Sequence, residues 1–262
     1  MKNIPGMEAI LSDPAGAVIG LDFDGTLSPI VPDPAKAVIH PKAPGVLAEL
    51  GAHVLSIAIV TGRPPATALE LGPGLADVPN LVVLGHYGFE RWEAGRVSAP
   101  PPPPGVPRAE AELPLLLDSL GLDGVTIEDK GRAVAVHTRR SPDPEGALAA
   151  LREPLAKLAG AHGLVIEPGR MVLELRPPGM DKGQALSLFL AERNARSVMF
   201  AGDDLGDLAA FDAVRASGLP GVTVCSGSAE VTALRERADI VVDGPEGIVA
   251  LLAELASAFS RS

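Results

Sequence analysis

Six short apolar runs constrain this chain more than any other feature. They are Ala17–Leu21, Leu55–Val60, Leu81–Leu84, Val198–Ala201, Val222–Cys225 and Ile240–Val242. Each run is continuous, whereas a strand with one wet face alternates apolar and polar residues. Continuous runs of this length read as strands covered on both sides, as in a parallel sheet with helices on each face. Helical patterns lie between several of them, around Pro44–Gly51, Pro65–Leu71, Lys182–Asn194, Leu208–Ser217 and Glu230–Ala238. Strand alternating with helix predicts an α/β fold with right-handed crossovers. The length of 262 residues allows one large domain or two small ones.

The middle of the chain follows a different pattern. Pro100 to Pro104 is an unbroken proline run, followed by Gly105 and Pro107. Such a stretch is neither helix nor central strand and is expected to be a stiff connector, favoured here over a PxxP ligand. Beyond it comes a helix over Arg108–Leu120 and strands over Val125–Glu128 and Arg132–Thr138. The order repeats with a helix over Pro144–Ala159 and strands over Leu164–Glu167 and Met171–Arg176. Asp129–Gly131 and Pro168–Arg170 read as hairpin turns, each with a glycine. Pro177, Pro178 and Gly179 end the repeat. The expected organisation is a core from residues 1–105 and 180–262, with a small α+β module (αββ twice) inserted at 106–179.

Charge and cysteine content narrow the function classes. Lys+Arg is 22 and Asp+Glu is 33, so the formal net charge is −11. No global attraction to nucleic acid or an anionic membrane follows, a local basic pocket for a small anion stays open, and a monomer is one state the sequence allows. The single cysteine, Cys225, excludes an intramolecular disulfide and a thiolate-rich metal site; it reads as a buried small hydrophobe. His40, His53 and His162 show no metal-ligand spacing. Pro5, Asp13 and Pro14 interrupt Met1–Ala17 where a signal peptide needs an apolar run, and a cytoplasmic location is expected.

Ligands of open parallel sheets bind beyond the carboxyl ends of the strands, so the residues after each run carry the chemistry. Asp22-Phe23-Asp24-Gly25-Thr26 follows the first run, Thr61-Gly62-Arg63 the second, and Gly202-Asp203-Asp204, with Asp207 close by, the fourth. Three strands thus bring carboxylates and a hydroxyl to one sheet edge. Carboxylates gathered at one point repel, and a hard divalent cation with oxygen ligands is the natural compensation.

Asp-Phe-Asp-Gly-Thr-Leu after a buried strand resembles the signature of the haloacid dehalogenase superfamily of phosphotransferases. Thr61, Lys182 and Gly202-Asp203-Asp204 with Asp207 fill its remaining motifs in order. The resemblance implies a Rossmann-like core with an inserted cap of the superfamily's second class. It implies Asp22 as nucleophile, forming an aspartyl-phosphate, and Asp24 as general acid and then base. It implies Mg²⁺ held by Asp22, the main-chain carbonyl of Asp24 and Asp203. Asp204 and Asp207 would hold metal-bound waters or orient Lys182; Thr61 would bond the transferring phosphoryl group, and Lys182 would offset its charge.

Over nearly the whole chain the sequence resembles the trehalose-6-phosphate phosphatases. The resemblance rests on residues 24–34, on Val60-Thr61-Gly62-Arg63-Pro64, and on Glu128-Asp129-Lys130-Gly131 with the strand carrying His137. Leu173-Glu174-Leu175-Arg176-Pro177 running into Asp181-Lys182-Gly183, and residues 202–207, complete it. Many members carry His just before the second glycine of Gly85-His86-Tyr87-Gly88; here Tyr87 holds that place. The family implies that Glu128, Lys130 and Glu174 read the sugar. Arg63, beside Gly62, would clamp the phosphate or the sugar, against the alternative of a surface arginine at a helix start. Trp92 is open between core, hinge contact and lid. The expected reaction releases phosphate from trehalose 6-phosphate as the last step of trehalose formation, a functional link to a trehalose-phosphate synthase. Sucrose phosphate, mannosyl-3-phosphoglycerate and a non-catalytic sugar-phosphate-binding role are the alternatives.

Overall fold

The computed structural model describes residues 4–101, 104–169, 171–179, 181–227 and 232–261. In chain order the first elements are α1 (Pro5–Ser12), β1 (Ala17–Leu21), α2 (Ala43–Gly51), β2 (Ser56–Val60), α3 (Pro65–Leu71), β3 (Leu81–Gly85), β4 (Glu90–Glu93) and β5 (Arg96–Ser98). The middle holds α4 (Gly105–Leu120), β6 (Thr126–Asp129), β7 (Val134–His137), α5 (Pro144–Ala161), β8 (Val165–Gly169) and β9 (Val172–Arg176). The last third holds α6 (Lys182–Arg193), β10 (Ser197–Gly202), α7 (Leu208–Ala216), β11 (Gly221–Gly227), α8 (Thr232–Arg237), β12 (Ile240–Asp243) and α9 (Gly244–Phe259).

Contacts divide the chain into two compact units, Met1–Ala99 with Met180–Ser262, and Pro100–Gly179. The first unit is built on one sheet of order β12-β11-β10-β1-β2-β3-β4-β5. Its first six strands are parallel, and all six are the expected apolar runs. Their continuity has a direct cause. Ile19, Leu21, Ile57, Ile59, Met199 and Val224 point to one face, under α1, α2 and α9. Val18, Ala58, Val60, Val198, Phe200 and Cys225 point to the other, under α6, α7 and α8. Every residue along the inner strands has an apolar layer to meet, so no position needs to be polar, whereas β12 at the edge leaves Val241 exposed.

The antiparallel edge is not anticipated by the sequence reading. β4 pairs with β3 and β5 with β4. The β4 sequence, Glu-Arg-Trp-Glu, buries only Trp92, which packs into the core cluster; that settles its role. One buried residue in four leaves no apolar run to detect. The helices α1 and α9 were also not anticipated.

The second unit has an antiparallel sheet of order β6-β7-β9-β8. Val134, Val136, Leu173 and Leu175 pack with Leu113 of α4 and with Leu151 and Leu155 of α5. The alternate positions form a polar row across the sheet, where Glu128 pairs Ala135, Ala135 pairs Glu174 and Glu174 pairs Glu167. α4 begins at Gly105, three residues before the expected Arg108, and takes in Pro107. The first-turn N–H groups of a helix have no intrahelical partner, so a proline there loses nothing. Of the proline connector, residues 102 and 103 lie outside the described residues. So do Arg170 of the second expected turn and residues 230 and 231 of the expected helix before Ala238. In the first turn Lys130 N–H donates to the Ala133 carbonyl at 3.0 Å, and the Asp129 carboxylate accepts from Gly131 N–H at 2.6 Å. Glu128 lies in β6, as the strand expected over Val125–Glu128 has it, and β6 runs one residue further, to Asp129.

Candidate active site

β1 is central in its sheet, flanked by β10 and β2. Immediately beyond it, Asp22 N–H still donates to the Ala201 carbonyl at 2.9 Å, so the backbone at Asp22 is fixed by the neighbouring strand. The chain then closes a tight loop. Leu27 and Ser28 N–H both donate to the Phe23 carbonyl at 2.9 Å, and Gly25 N–H donates to the Ser28 carbonyl at 2.7 Å. Gly25 has φ +78°, and a Cβ there would lie 2.0 Å from an Asp203 carboxylate oxygen. Only glycine lets Asp203 lie against this loop. Ser226, at the end of β11, donates from Oγ to the Gly25 carbonyl at 2.6 Å and ties the loop from below. Ser226 directly follows an apolar run, so inspecting strand ends would have found it.

Lys182 opens α6, whose N-cap Asp181 accepts from Gln184 N–H at 2.8 Å. Its buried ammonium sits 2.8 Å from an Asp22 oxygen and 2.8 Å from an Asp207 oxygen. The other Asp207 oxygen accepts from Asp203 N–H at 2.9 Å and from Asp204 N–H at 3.1 Å. Asp204 in turn accepts from Gly206 N–H at 2.9 Å. Asp207 is therefore the anchor of the loop after β10 and the holder of Lys182.

These groups are strongly perturbed. Burial holds the Asp22 carboxyl well above the usual carboxylate range, against the pull of Lys182 and with added repulsion from Asp207, Asp203 and Asp204. Burial, then Asp207 and Asp204, push Asp203 up to about 7. Burial also raises Asp207, with Lys182 working against it. Burial alone would lower the Lys182 ammonium, but Asp207, Asp22 and Asp204 outweigh it and hold the lysine above its ordinary value. Three buried acids share one buried cation, so the cluster is short of positive charge.

A divalent cation fits that deficit. Ligand oxygens of Asp22, Asp203 and Asp207 lie within 4.8 Å of one another. The Asp203 Oδ1 atom is buried and has no hydrogen-bond partner among the described residues. An all-oxygen donor set suits Mg²⁺. Because both Asp207 oxygens are already engaged, Asp22 and Asp203 are the carboxylates open to a metal.

β2 delivers the second group. Leu21 pairs with Ile59, which places Thr61 beside the residues following β1. Thr61 is buried, and its Oγ1 accepts from Arg63 N–H at 3.1 Å. The turn at 86–88 clasps this loop: His86 N–H donates to the Arg63 carbonyl at 3.1 Å and Tyr87 N–H to the Thr61 carbonyl at 3.0 Å. Tyr87, in the left-handed region at φ 56°, places its hydroxyl where a Cβ on Gly62 would approach to 2.8 Å. The arginine side chain is committed as well. Arg63 Nε and Nη2 each donate to Asp24 at 2.7 Å, a two-pronged ion pair, and Nη2 also donates to the Pro34 carbonyl at 3.0 Å.

Asp22, Lys182, Asp203, Asp204 and Asp207 thus come together, and Arg63 on the loop after β2, with Thr61, joins Asp24 on the loop after β1. Glu128, Lys130 and Glu174 lie in the second unit. There Lys130 Nζ donates to Glu174 at 2.5 Å, and His137 Nε2 lies 2.7 Å from Glu128. Arg176 donates to Glu167, the fourth position of the polar row, at 2.5 Å.

A parallel sheet with a carboxylate pair at its central strand end, a buried lysine and an acidic loop has the fold of haloacid dehalogenase-like hydrolases. A structure titled as a haloacid dehalogenase-like hydrolase from Bacteroides thetaiotaomicron matches with a TM-score of 0.67 at 18% identity, over 91% of this chain and 99% of that one. A family model described as trehalose-phosphatase matches residues 20–241, and the chain belongs to that family. It is 34% identical over 216 residues to a probable trehalose-phosphate phosphatase of Sinorhizobium fredii, covering 81% of this chain and 79% of that protein. It is 32% identical to a trehalose-phosphate phosphatase of Mycobacterium avium over 86% of this chain, but spans 59% of that protein. It spans 15% of a longer Mycobacterium tuberculosis relative. The C-terminal domain of a Candida albicans trehalose-6-phosphate phosphatase has the same fold, with a TM-score of 0.75 at 21% identity over 97% of each chain. No helix among the described residues is long and apolar enough to cross a membrane.

Proposed function

We propose that this chain hydrolyses trehalose 6-phosphate to trehalose and phosphate through an aspartyl-phosphate on Asp22. The observation that carries the reading is Asp22 itself: buried at the end of the central strand, beside the ammonium of Lys182, in a chain of the trehalose-phosphatase family. The names of the relatives favour this substrate over sucrose phosphate and mannosyl-3-phosphoglycerate.

Asp22 attacks phosphorus, and the ester oxygen leaves with a proton from Asp24. Asp24 then takes a proton from water, which attacks the same phosphorus and frees Asp22. Thr61 Oγ1 already accepts from Arg63 N–H, so its own hydrogen is free to donate to the phosphoryl group. Lys182, fixed by Asp207, offsets phosphoryl charge. Bound Mg²⁺, held by Asp22, the Asp24 main-chain carbonyl and Asp203, would neutralise charge on the phosphoryl oxygens. Asp204 supports this set by shaping the loop after β10.

We assign sugar recognition to the inserted unit as a cap, through Glu128, Lys130 and Glu174. Their charges give strong hydrogen bonds to sugar hydroxyls, and a site built for a hydroxyl rejects analogues lacking it. A trehalose-phosphate synthase would supply the substrate. The test is phosphate release from trehalose 6-phosphate beside sucrose 6-phosphate, glucose 6-phosphate and mannosyl-3-phosphoglycerate, with Mg²⁺ and with a chelator. Turnover of the first alone, lost with chelator and in Asp22→Asn, is expected. Preference for another ester overturns the substrate; no turnover of any by folded protein overturns the enzyme reading.

A further inference from the structure

Arg63 carries a feature that the reaction scheme leaves unexplained. Its guanidinium engages both oxygens of Asp24 at 2.7 Å, the carboxylate that must hand a proton to the leaving group. Both oxygens of this carboxylate are engaged by one arginine fork, so the cation that could meet a phosphate is held by the proton donor instead. The fork is rigidly presented: the Arg63 N–H is fixed on Thr61, its carbonyl on His86, one Nη2 bond goes to the Pro34 carbonyl, and the guanidinium carbon lies 5.9 Å over the Phe23 ring. The pair is also open to incoming ligand, with side-chain exposures of 16% for Arg63 and 33% for Asp24. Planar donors at this spacing match phosphate oxygens as well as they match a carboxylate.

We propose that Arg63 is a positioning residue that exchanges partners: it holds Asp24 in the substrate-free enzyme and transfers its fork to the arriving phosphoryl group, which releases Asp24 to face the ester oxygen. This inference rests on the proposed site and deepens it. The exchange makes Asp24 a competitor of the phosphate for one cation. Removing Asp24 therefore strengthens anion binding only while Arg63 is present. Simple relief of charge repulsion predicts the same gain with or without Arg63, so the two explanations separate.

The experiment is a double-mutant cycle read by calorimetric binding of inorganic phosphate in Mg²⁺ buffer, on wild type, Asp24→Ala, Arg63→Gln and the double variant. Asp24→Asn serves as a second variant that keeps the side-chain shape. The expected result is a gain of about 5- to 20-fold in phosphate affinity for Asp24→Ala that vanishes in the Arg63→Gln background, within the usual range of coupling between contacting residues. Arg63→Lys keeps the charge but cannot fork, and should retain only part of the gain. An equal gain in both backgrounds, or no gain from either Asp24 variant, overturns the exchange while leaving the proposed site intact. Wild-type protein that binds no phosphate overturns the site reading and the exchange together.

Discussion

The two polar clusters of this protein are built on opposite principles. In the first unit Asp22, Asp203, Asp207 and Lys182 are buried, and the acids outnumber the cation. In the second unit Lys130 pairs with Glu174, His137 with Glu128 and Arg176 with Glu167, each acid with its own partner. The first cluster is unbalanced and needs something more from outside. The second pairs its acids one by one, Glu174 and Glu167 with cations and Glu128 with an imidazole, and a ligand there must replace contacts that already exist. Strain from uncompensated charge is tolerated where it serves chemistry, and the surrounding apolar layers hold it in place.

The strongest way to break this contrast is Asp22→Asn. Activity should fall by about 10⁴-fold or more, the scale seen when a covalent nucleophile is removed. Yet the thermal midpoint of the metal-free protein should not fall, because the substitution relieves buried repulsion. A parallel loss of stability would show that the cluster is balanced after all. Next in size is Lys182→Ala, which leaves Asp22 and Asp207 buried without their cation. Denaturant unfolding should show a loss of about 3–5 kcal/mol, the cost of removing one partner of a buried pair.

In the second unit the effects should be smaller and confined to the sugar. Glu174→Ala is expected to lower kcat/KM for trehalose 6-phosphate by about 10- to 100-fold, as for a charge-assisted hydrogen bond. Turnover of p-nitrophenyl phosphate should not change. Equal losses on both substrates would mean that the Lys130–Glu174 pair holds the fold rather than the sugar.

The smallest effect is one of pH. Burial raises Asp203 to about 7, above the ordinary unfolded value of about 3.9. The folded state therefore holds an extra proton between those values, and stability falls as pH rises through that window. Metal-free protein should melt a few degrees lower near pH 8 than near pH 6, and Mg²⁺ should erase most of the difference. A flat metal-free profile would contradict the uncompensated cluster.

Much of this site was legible because parallel-sheet chemistry sits at strand ends, and the strands announced themselves as continuous apolar runs. Asp22, Thr61 and Asp203 each stand just beyond such a run. Lys182 was legible through its motif, and its engagement by Asp207 across 25 residues is one of the two roles that the family resemblance implied for that acid. The β4–β5 edge escaped detection because a half-wet strand of four residues buries only Trp92.

The sequence by itself determined the six parallel strands, several of the helices between them, the strand-end chemistry and the inserted unit, since these follow from local apolar period and from motifs of a few residues. Tertiary structure alone decided which charge neutralises which. The Arg63–Asp24 fork spans 39 residues, the Lys130–Glu174 pair 44, and the Ser226 hydroxyl reaches the Gly25 carbonyl from 201 residues away. Such pairings depend on strand register and on burial, which no local pattern encodes, and they set where each carboxylate points.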